Sequence, residues 1–131
     1  MWSPEQAVLS LFCFSDIERG GGGTLLAAGS HHVVAELLWE AEPEGLGPDD
    51  IWPAMGHRLD EVGWRVIEAV AEAGDVVLAH PWLFHSSNPN HGSRPRVMAQ
   101  PRFDMTEPKR TAGEGPFPVE VPIARNRRRD R

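Results

Sequence analysis

A single cysteine, Cys13, is all that this chain of 131 residues provides. One thiol excludes an intramolecular disulfide and any zinc site built on cysteines. Cys13 lies inside the apolar run Val8–Phe14, where a thiol is expected to be buried and inert. Net positive charge is also lacking: the formal charge is −6 and the sequence pI about 5.4. Phosphate backbones are bound by clustered positive charge, so no nucleic-acid partner is expected. The one basic cluster, Arg125, Arg127, Arg128, Arg129 and Arg131, reads as a solvated tail over residues 125–131. No apolar run approaches the roughly 20 residues that cross a bilayer. No basic stretch precedes an apolar one at the N-terminus. The expectation is a cytoplasmic protein with no membrane partner.

What remains has the composition of a globular protein, 40% hydrophobic and 24% charged. The length suits one domain, placed at residues 1–124 ahead of the tail. Twelve prolines and 13 glycines argue against long helices and for short elements joined by turns.

Along the chain, Val8–Phe14 reads as a buried strand. Gly20–Gly23 is four consecutive glycines and must be a turn or tight loop. Thr24–Ala28 is a second short strand. Val33, Val34, Leu37 and Leu38 have helical spacing, so His31–Glu40 reads as a helix with Ser30 as its N-cap. Glu42–Met55, with three prolines and two glycines, reads as a loop or insertion. Trp64–Val70 is ambiguous. Helical spacing fits Leu59, Val62, Val66 and Val70, while the local β-branched content fits a strand. Gly74-Asp75 is a turn signal, and Val76–His80 reads as a buried strand. Leu83–His85 is apolar again, Ser86–Ser93 is a polar loop, and Pro95–Phe103 alternates as a strand does. Beyond Met105 only Phe117–Ile123 is a candidate to dock. Many short strands with one early helix suggest a β-sandwich or barrel-like fold.

Motifs for chemistry are scarce. Gly20–Gly23 matches no phosphate-binding fingerprint, and no Gly-x-Ser-x-Gly elbow or His-Glu-x-x-His helix exists. A non-haem iron site needs two imidazoles and one carboxylate on one face, with positions left open. None of the six histidines has Asp or Glu two residues later. From the residues alone, the chain is a β-rich domain with a histidine-rich half.

Two stretches nevertheless resemble the phytanoyl-CoA dioxygenase family. One is Leu9–His31, with its strand, acidic turn, glycine turn and closing Gly29-Ser30-His31. The other is Gly74–Phe103, which is similar to the segment around that family's distal histidine. Together they span roughly two fifths of the chain. The resemblance implies a double-stranded β-helix of the jelly-roll or cupin type, mainly β, with one or two short helices. It implies a strand at Arg65–Val70, ahead of the Gly-Asp turn. It also implies dependence on iron(II), with 2-oxoglutarate as co-substrate and a small organic substrate to be oxidised.

The same resemblance implies site residues. His85 matches the distal metal ligand. Arg96, eleven residues later, matches the arginine that holds the far carboxylate of 2-oxoglutarate. A guanidinium fork suits that task because it pairs bidentately and stays charged when buried. Arg94 is its near competitor and Arg102 a weaker one. Ser87 matches a hydroxyl that assists the co-substrate, beside the alternative of a plain loop cap. His80 resembles a structural histidine behind the ligand, and His31 a structural hydrogen-bonding one. His32, His57 and His91 receive no role.

One departure stands out. The family's His-x-Asp dyad precedes the Val8–Phe14 strand and would fall a few residues ahead of Met1. Half of the metal site is therefore expected to be absent from these residues, leaving the chain inactive alone. A start placed inside a longer protein, a natural non-catalytic protein, and ligands from another chain are the competing readings. A β-helix lacking its first strands would also expose a sheet edge, so self-association is expected. The alternative function is a non-catalytic binding module.

Overall fold

In a computed structural model, residues 6–41, 44–56, 58–61 and 63–105 are described. Seven strands form two antiparallel sheets, with three short helices between them in sequence. The mainly β class and the cupin-like expectation agree with this arrangement. Among the described residues the short helices number three, where one or two are expected.

β1 (Gln6–Cys13) is the centre of the first sheet. It pairs with β4 (Val76–Ala79) on one side, in the register Leu9↔Ala79 and Leu11↔Val77. On the other side it pairs with β6 (Met98–Ala99) and β7 (Phe103–Asp104). β2 (Leu25–Ala28) centres the second sheet, between β3 (Arg65–Glu68) and β5 (His85–Ser86). The chain thus passes from the first sheet to the second and back twice. The apolar run of β1 accounts for its place: Leu9, Leu11 and Cys13 are buried, as is Ser10 between them. Ser10 keeps its hydroxyl satisfied by donating to the Pro101 carbonyl at 3.3 Å. Cys13 is buried as expected, and burial pushes its thiol pKa up, with Asp75 adding to the effect.

Three expectations need correction. Val76–His80 is not a buried strand, because Val76 is 43% and Leu78 68% exposed. β4 ends its sheet and turns only Val77 and Ala79 inward. Glu42–Met55 is not all loop, because Pro48–Met55 is helix α2. Pro48 opens it, where a missing N–H is harmless. Asp50 accepts the Gly47 N–H at 3.3 Å, and Asp49 and Asp50 sit at the positive end of the helix dipole. Ile51 and Met55, one turn apart, are buried. Finally, Ser30 is not a cap. Helix α1 (Ser30–Glu40) is preceded by Gly29 at φ 95°, and the Ser30 hydroxyl is used elsewhere.

The predicted stripe of α1, Val33, Val34, Leu37 and Leu38, is buried as expected. It packs with Ile51 and Met55 of α2, Leu59 of α3 (Arg58–Glu61) and Trp82. Among the described residues no helix is long and apolar enough to cross a membrane. The candidate docking segment Phe117–Ile123, the tail from Arg125 and the boundary at 124 lie outside the described residues, as do His57 and Val62.

The glycine turn is held by one carboxylate. Glu68 accepts the Gly20 N–H at 2.9 and 3.1 Å, the Gly23 N–H at 3.1 Å and the Asn88 amide at 3.2 Å. The Gly20 hydrogen bond does most to lower the Glu68 pKa, helped by Gly23, Asn88 and the nearby Arg19 against a desolvation penalty. The turn has no room for side chains. A Cβ on Gly23 would lie 2.3 Å from the Ala69 carbonyl oxygen, and Gly22 adopts φ 84° against Asn90.

Two outcomes follow from this turn. Gly23→Ala should lower the melting temperature by more than Gly47→Ala, where φ is −78° and the added Cβ meets only the Asp50 carboxylate at 3.3 Å. Glu68→Gln should lower it by several degrees at neutral pH. Because the folded-state pKa of Glu68 is lowered, its contribution is present above the ordinary carboxylate value and is lost as pH falls through the folded one. Thermal melts of wild type and Glu68→Gln should therefore diverge at pH 7 and converge in acid.

Candidate functional site

His85 opens β5 at the edge of the second sheet and is exposed. Its placement is over-determined by local hydrogen bonds. The Leu83 N–H donates to the His80 carbonyl at 2.9 Å, closing the turn after β4. The Phe84 N–H donates to the Ser30 hydroxyl at 2.9 Å, and the Phe84 carbonyl accepts the Ala27 N–H at 2.9 Å. Ser30 is fully buried, so this hydroxyl is a fixed anchor. The apolar Leu83-Phe84 pair and the neighbouring Leu26↔His85 register then carry the chain into the sheet.

The ring of His85 is oriented as well. Its Nδ1 lies 2.9 Å from the Leu83 carbonyl. A carbonyl only accepts, so Nδ1 carries the proton. The neutral ring then presents its lone pair at Nε2, the form in which an imidazole binds a metal.

Ser87 follows β5 and is exposed, without a side-chain hydrogen bond among the described residues. Its neighbour Asn88 is tied to Glu68. Arg96 stands just ahead of β6 and is half-buried. Its guanidinium donates to the Gly22 carbonyl in the glycine turn. Its charge is felt at Cys13, where it opposes the rise in the thiol pKa. The competing arginines are in a different state. Arg94 is paired with Glu18 and Asp16, and Arg102 with Asp104. Arg96 thus meets a carbonyl where the other two meet carboxylates.

His85, Ser87 and Arg96 do not hydrogen-bond to one another. They are referred to one frame, the glycine turn and Glu68, through Gly22 and Asn88. His85 and Ser86 also line an apolar groove of about 190 Å³ with Leu25, Ala27, Trp52 and Phe84. Trp52 is 61% exposed and stacks on Phe84 with centroids 5.6 Å apart. Sequence reasoning missed Trp52 because its segment reads as loop.

Among the described residues no group of three His, Cys, Asp or Glu is arranged to hold a metal ion. His85 is one suitable donor, and one imidazole does not hold iron against water. The donor set therefore does not fit a complete iron centre. Arg96 does fit a carboxylate, since a guanidinium has five N–H donors and one carbonyl takes few of them.

The other histidines are structural or apart. His80 Nδ1 accepts the Trp82 N–H at 3.1 Å, in keeping with a structural role. His31 departs from the expectation of a hydrogen-bonding residue. Its buried Nδ1 has no partner, and its ring packs on His32 and His80.

A family model described as phytanoyl-CoA dioxygenase (PhyH) matches residues 1–98, a span that contains His85, Ser87 and Arg96. No curated protein and no solved structure matches the chain.

Ser30→Ala removes the acceptor of the Phe84 N–H while leaving the helix start intact. The orphaned donor should cost about 1–3 kcal/mol in chemical denaturation. Ser30→Thr, which restores a hydroxyl, should recover part of that loss.

Proposed function

We propose, from the premise that this chain belongs to the phytanoyl-CoA dioxygenase family, that its described residues form one half of an oxygenase site that uses iron(II) and 2-oxoglutarate to oxidise a small organic substrate. The observation that carries this reading is the ring of His85. An exposed histidine with Nδ1 fixed on its own chain and Nε2 presented is prepared as a ligand.

In this reading His85 supplies one imidazole donor. Arg96 holds the far carboxylate of the co-substrate, while its bond to Gly22 sets the direction of the guanidinium. That Arg94 and Arg102 are already neutralised by carboxylates favours Arg96 for the task. Ser87 is within the same segment and offers a hydroxyl to the co-substrate. The apolar groove beside His85, walled by Trp52 and Phe84, would take a nonpolar part of the substrate. Bound iron would supply the activation of dioxygen. The remaining donors, a His-x-Asp or His-x-Glu pair, must come from outside the described residues. Alternate residues of a strand share a face. The outer edge of β5 is unpaired among the described strands, so a strand added there would bring such a pair beside His85.

We also propose that the chain by itself self-associates. Val76 and Leu78 on edge strand β4 are exposed together with Phe103, and open apolar edges invite pairing. Size-exclusion chromatography should show species larger than a monomer. A clean monomer with a single cooperative melt would count against it.

The functional test is decarboxylation of 2-oxoglutarate with added iron(II). It should use the chain extended by any coding sequence that continues in frame upstream, and the 131-residue chain alone as comparison. The longer protein should turn over and the chain alone should not. His85→Ala should abolish turnover. Arg96→Ala should raise the KM for 2-oxoglutarate by about 10- to 100-fold, the loss of a charge-assisted pair. Unchanged turnover in both variants would sink the assignment, and inactivity of the longer protein would favour a non-catalytic binding module.

A further inference from the structure

Among the described residues the buried polar side chains are Ser10, Thr24 and Ser30. Ser10 donates to a backbone carbonyl and Ser30 accepts a backbone N–H. Thr24 differs from both. It is 7% exposed, and its hydroxyl meets the thioether Sδ of Met98 at 3.8 Å, with no oxygen or nitrogen partner among the described residues. A thioether is a weak acceptor. Buried hydroxyls ordinarily find a better one. The backbone that carries this hydroxyl is fixed: the Thr24 carbonyl accepts the Ala69 N–H at 2.9 Å, and the preceding Gly23 is bonded to Glu68. A β-branched side chain on a fixed backbone has few rotamers, so the hydroxyl has a set direction.

Two strand relationships put Thr24 beside the proposed site. The register Leu25↔Ser86 and Leu26↔His85 sets Thr24 opposite Ser87 one step further on. Alternate residues of a strand share a face, so Thr24 belongs to the face of Leu26 and His85. From the other side, Thr24 follows Gly22 by two residues, as Met98 follows Arg96. Arg96 donates to the Gly22 carbonyl, and Thr24 donates to Met98. These contacts are neighbouring rungs between the same two segments, roughly 7 Å apart at the rise of extended chain. A carboxylate that accepts one hydrogen bond at each oxygen spans about the same distance.

We propose that Thr24 is a second donor to the carboxylate held by Arg96, its hydroxyl leaving the Met98 sulfur to bond a carboxylate oxygen. This rests on the reading of Arg96 as the anchor of 2-oxoglutarate. A carboxylate offers about four lone-pair sites and a guanidinium fork takes two, so an acceptor remains for a hydroxyl. A hydrogen bond to a carboxylate is charge-assisted and stronger than one to a neutral sulfur. The unbranched Met98 side chain, half-buried on β6, has the rotatable bonds to yield. No proton changes hands, and Thr24 acts by binding and orienting. The glycine turn then contributes twice to one ligand: Gly22 directs the guanidinium, and Thr24, at the other end of the same stretch, supplies the hydroxyl.

The test is nuclear magnetic resonance of the isotope-labelled 131-residue chain titrated with 2-oxoglutarate, without iron and without turnover. The Thr24 methyl and amide signals and the Arg96 Nε–H signal should move along one binding curve. Sodium chloride at matched ionic strength should not reproduce it. Thr24→Val keeps the side-chain shape and removes the hydroxyl. It should raise the dissociation constant by roughly 10-fold or more. Its melting temperature should stay near that of wild type, because the bond lost in the free protein is weak. Thr24→Ser should recover most of the affinity, and Arg96→Met should lose it. Wild-type affinity in Thr24→Val, with or without a lower melting temperature, would overturn the role of Thr24 and leave that of Arg96 standing. So would a Thr24→Ser variant that binds as weakly as Thr24→Val. Should Thr24→Val fail to fold, the wild-type titration decides: Thr24 signals that stay still while Arg96 moves refute the proposal. A wild-type chain that binds no 2-oxoglutarate at tens of millimolar would overturn the assignments of Thr24 and Arg96 together.

Discussion

The carboxylate of Glu68 joins three stretches of chain that are far apart in sequence. It stands on β3, and it takes N–H groups from both ends of the Gly20–Gly23 turn and the amide of Asn88. A glycine run loses more conformational freedom on ordering than any other segment. Several charge-assisted hydrogen bonds to one acceptor offset that cost. Once the turn is fixed, the Gly22 carbonyl is a fixed acceptor for Arg96. Once Asn88 is fixed, the segment leaving β5 is fixed as well. The two residues proposed to meet metal and co-substrate are thus referred to one acidic side chain that touches neither reactant.

Much of this frame could be read in the residue order, because burial and period coincide there. The apolar run at β1, the α1 stripe and the glycine turn each follow from a single local rule. The misread elements share a different property: their status depends on what lies beside them. α2 was hidden by its prolines, and Pro48 is harmless only because it occupies the first helical position. Val76–Ala79 has the composition of a buried strand but lies at a sheet edge, and edge position is a property of the whole sheet. Ser30 has the identity of a cap, but its hydroxyl serves Phe84, 54 residues away.

The candidate site is legible to a similar degree and for similar reasons. His85 and Arg96 stood out through a resemblance in their segment, not through spacing. What separates Arg96 from Arg94 and Arg102 is the acidic partner that each of the latter finds, and Glu18 lies 76 residues from Arg94. No local pattern could reveal that pairing. Nor could it reveal Trp52 on the groove wall, since the segment that carries it has the composition of a loop.

The way His85 is held bears on how the proposed half site could persist. A ligand positioned by its metal loses its geometry when the metal is absent. Here the ring is oriented by the Leu83 carbonyl and the backbone by Ser30 and Ala27, all within the described residues. In the proposed reading the histidine is prepared before any ion arrives, and binding need not bear the entropy of ordering it. Preparation of one donor is distinct from a binding site, since affinity comes from several donors acting together. The fold thus separates two things that a complete site would join. The orientation of His85 belongs to these residues, while in the proposed reading the capacity to retain iron would depend on donors outside the described residues.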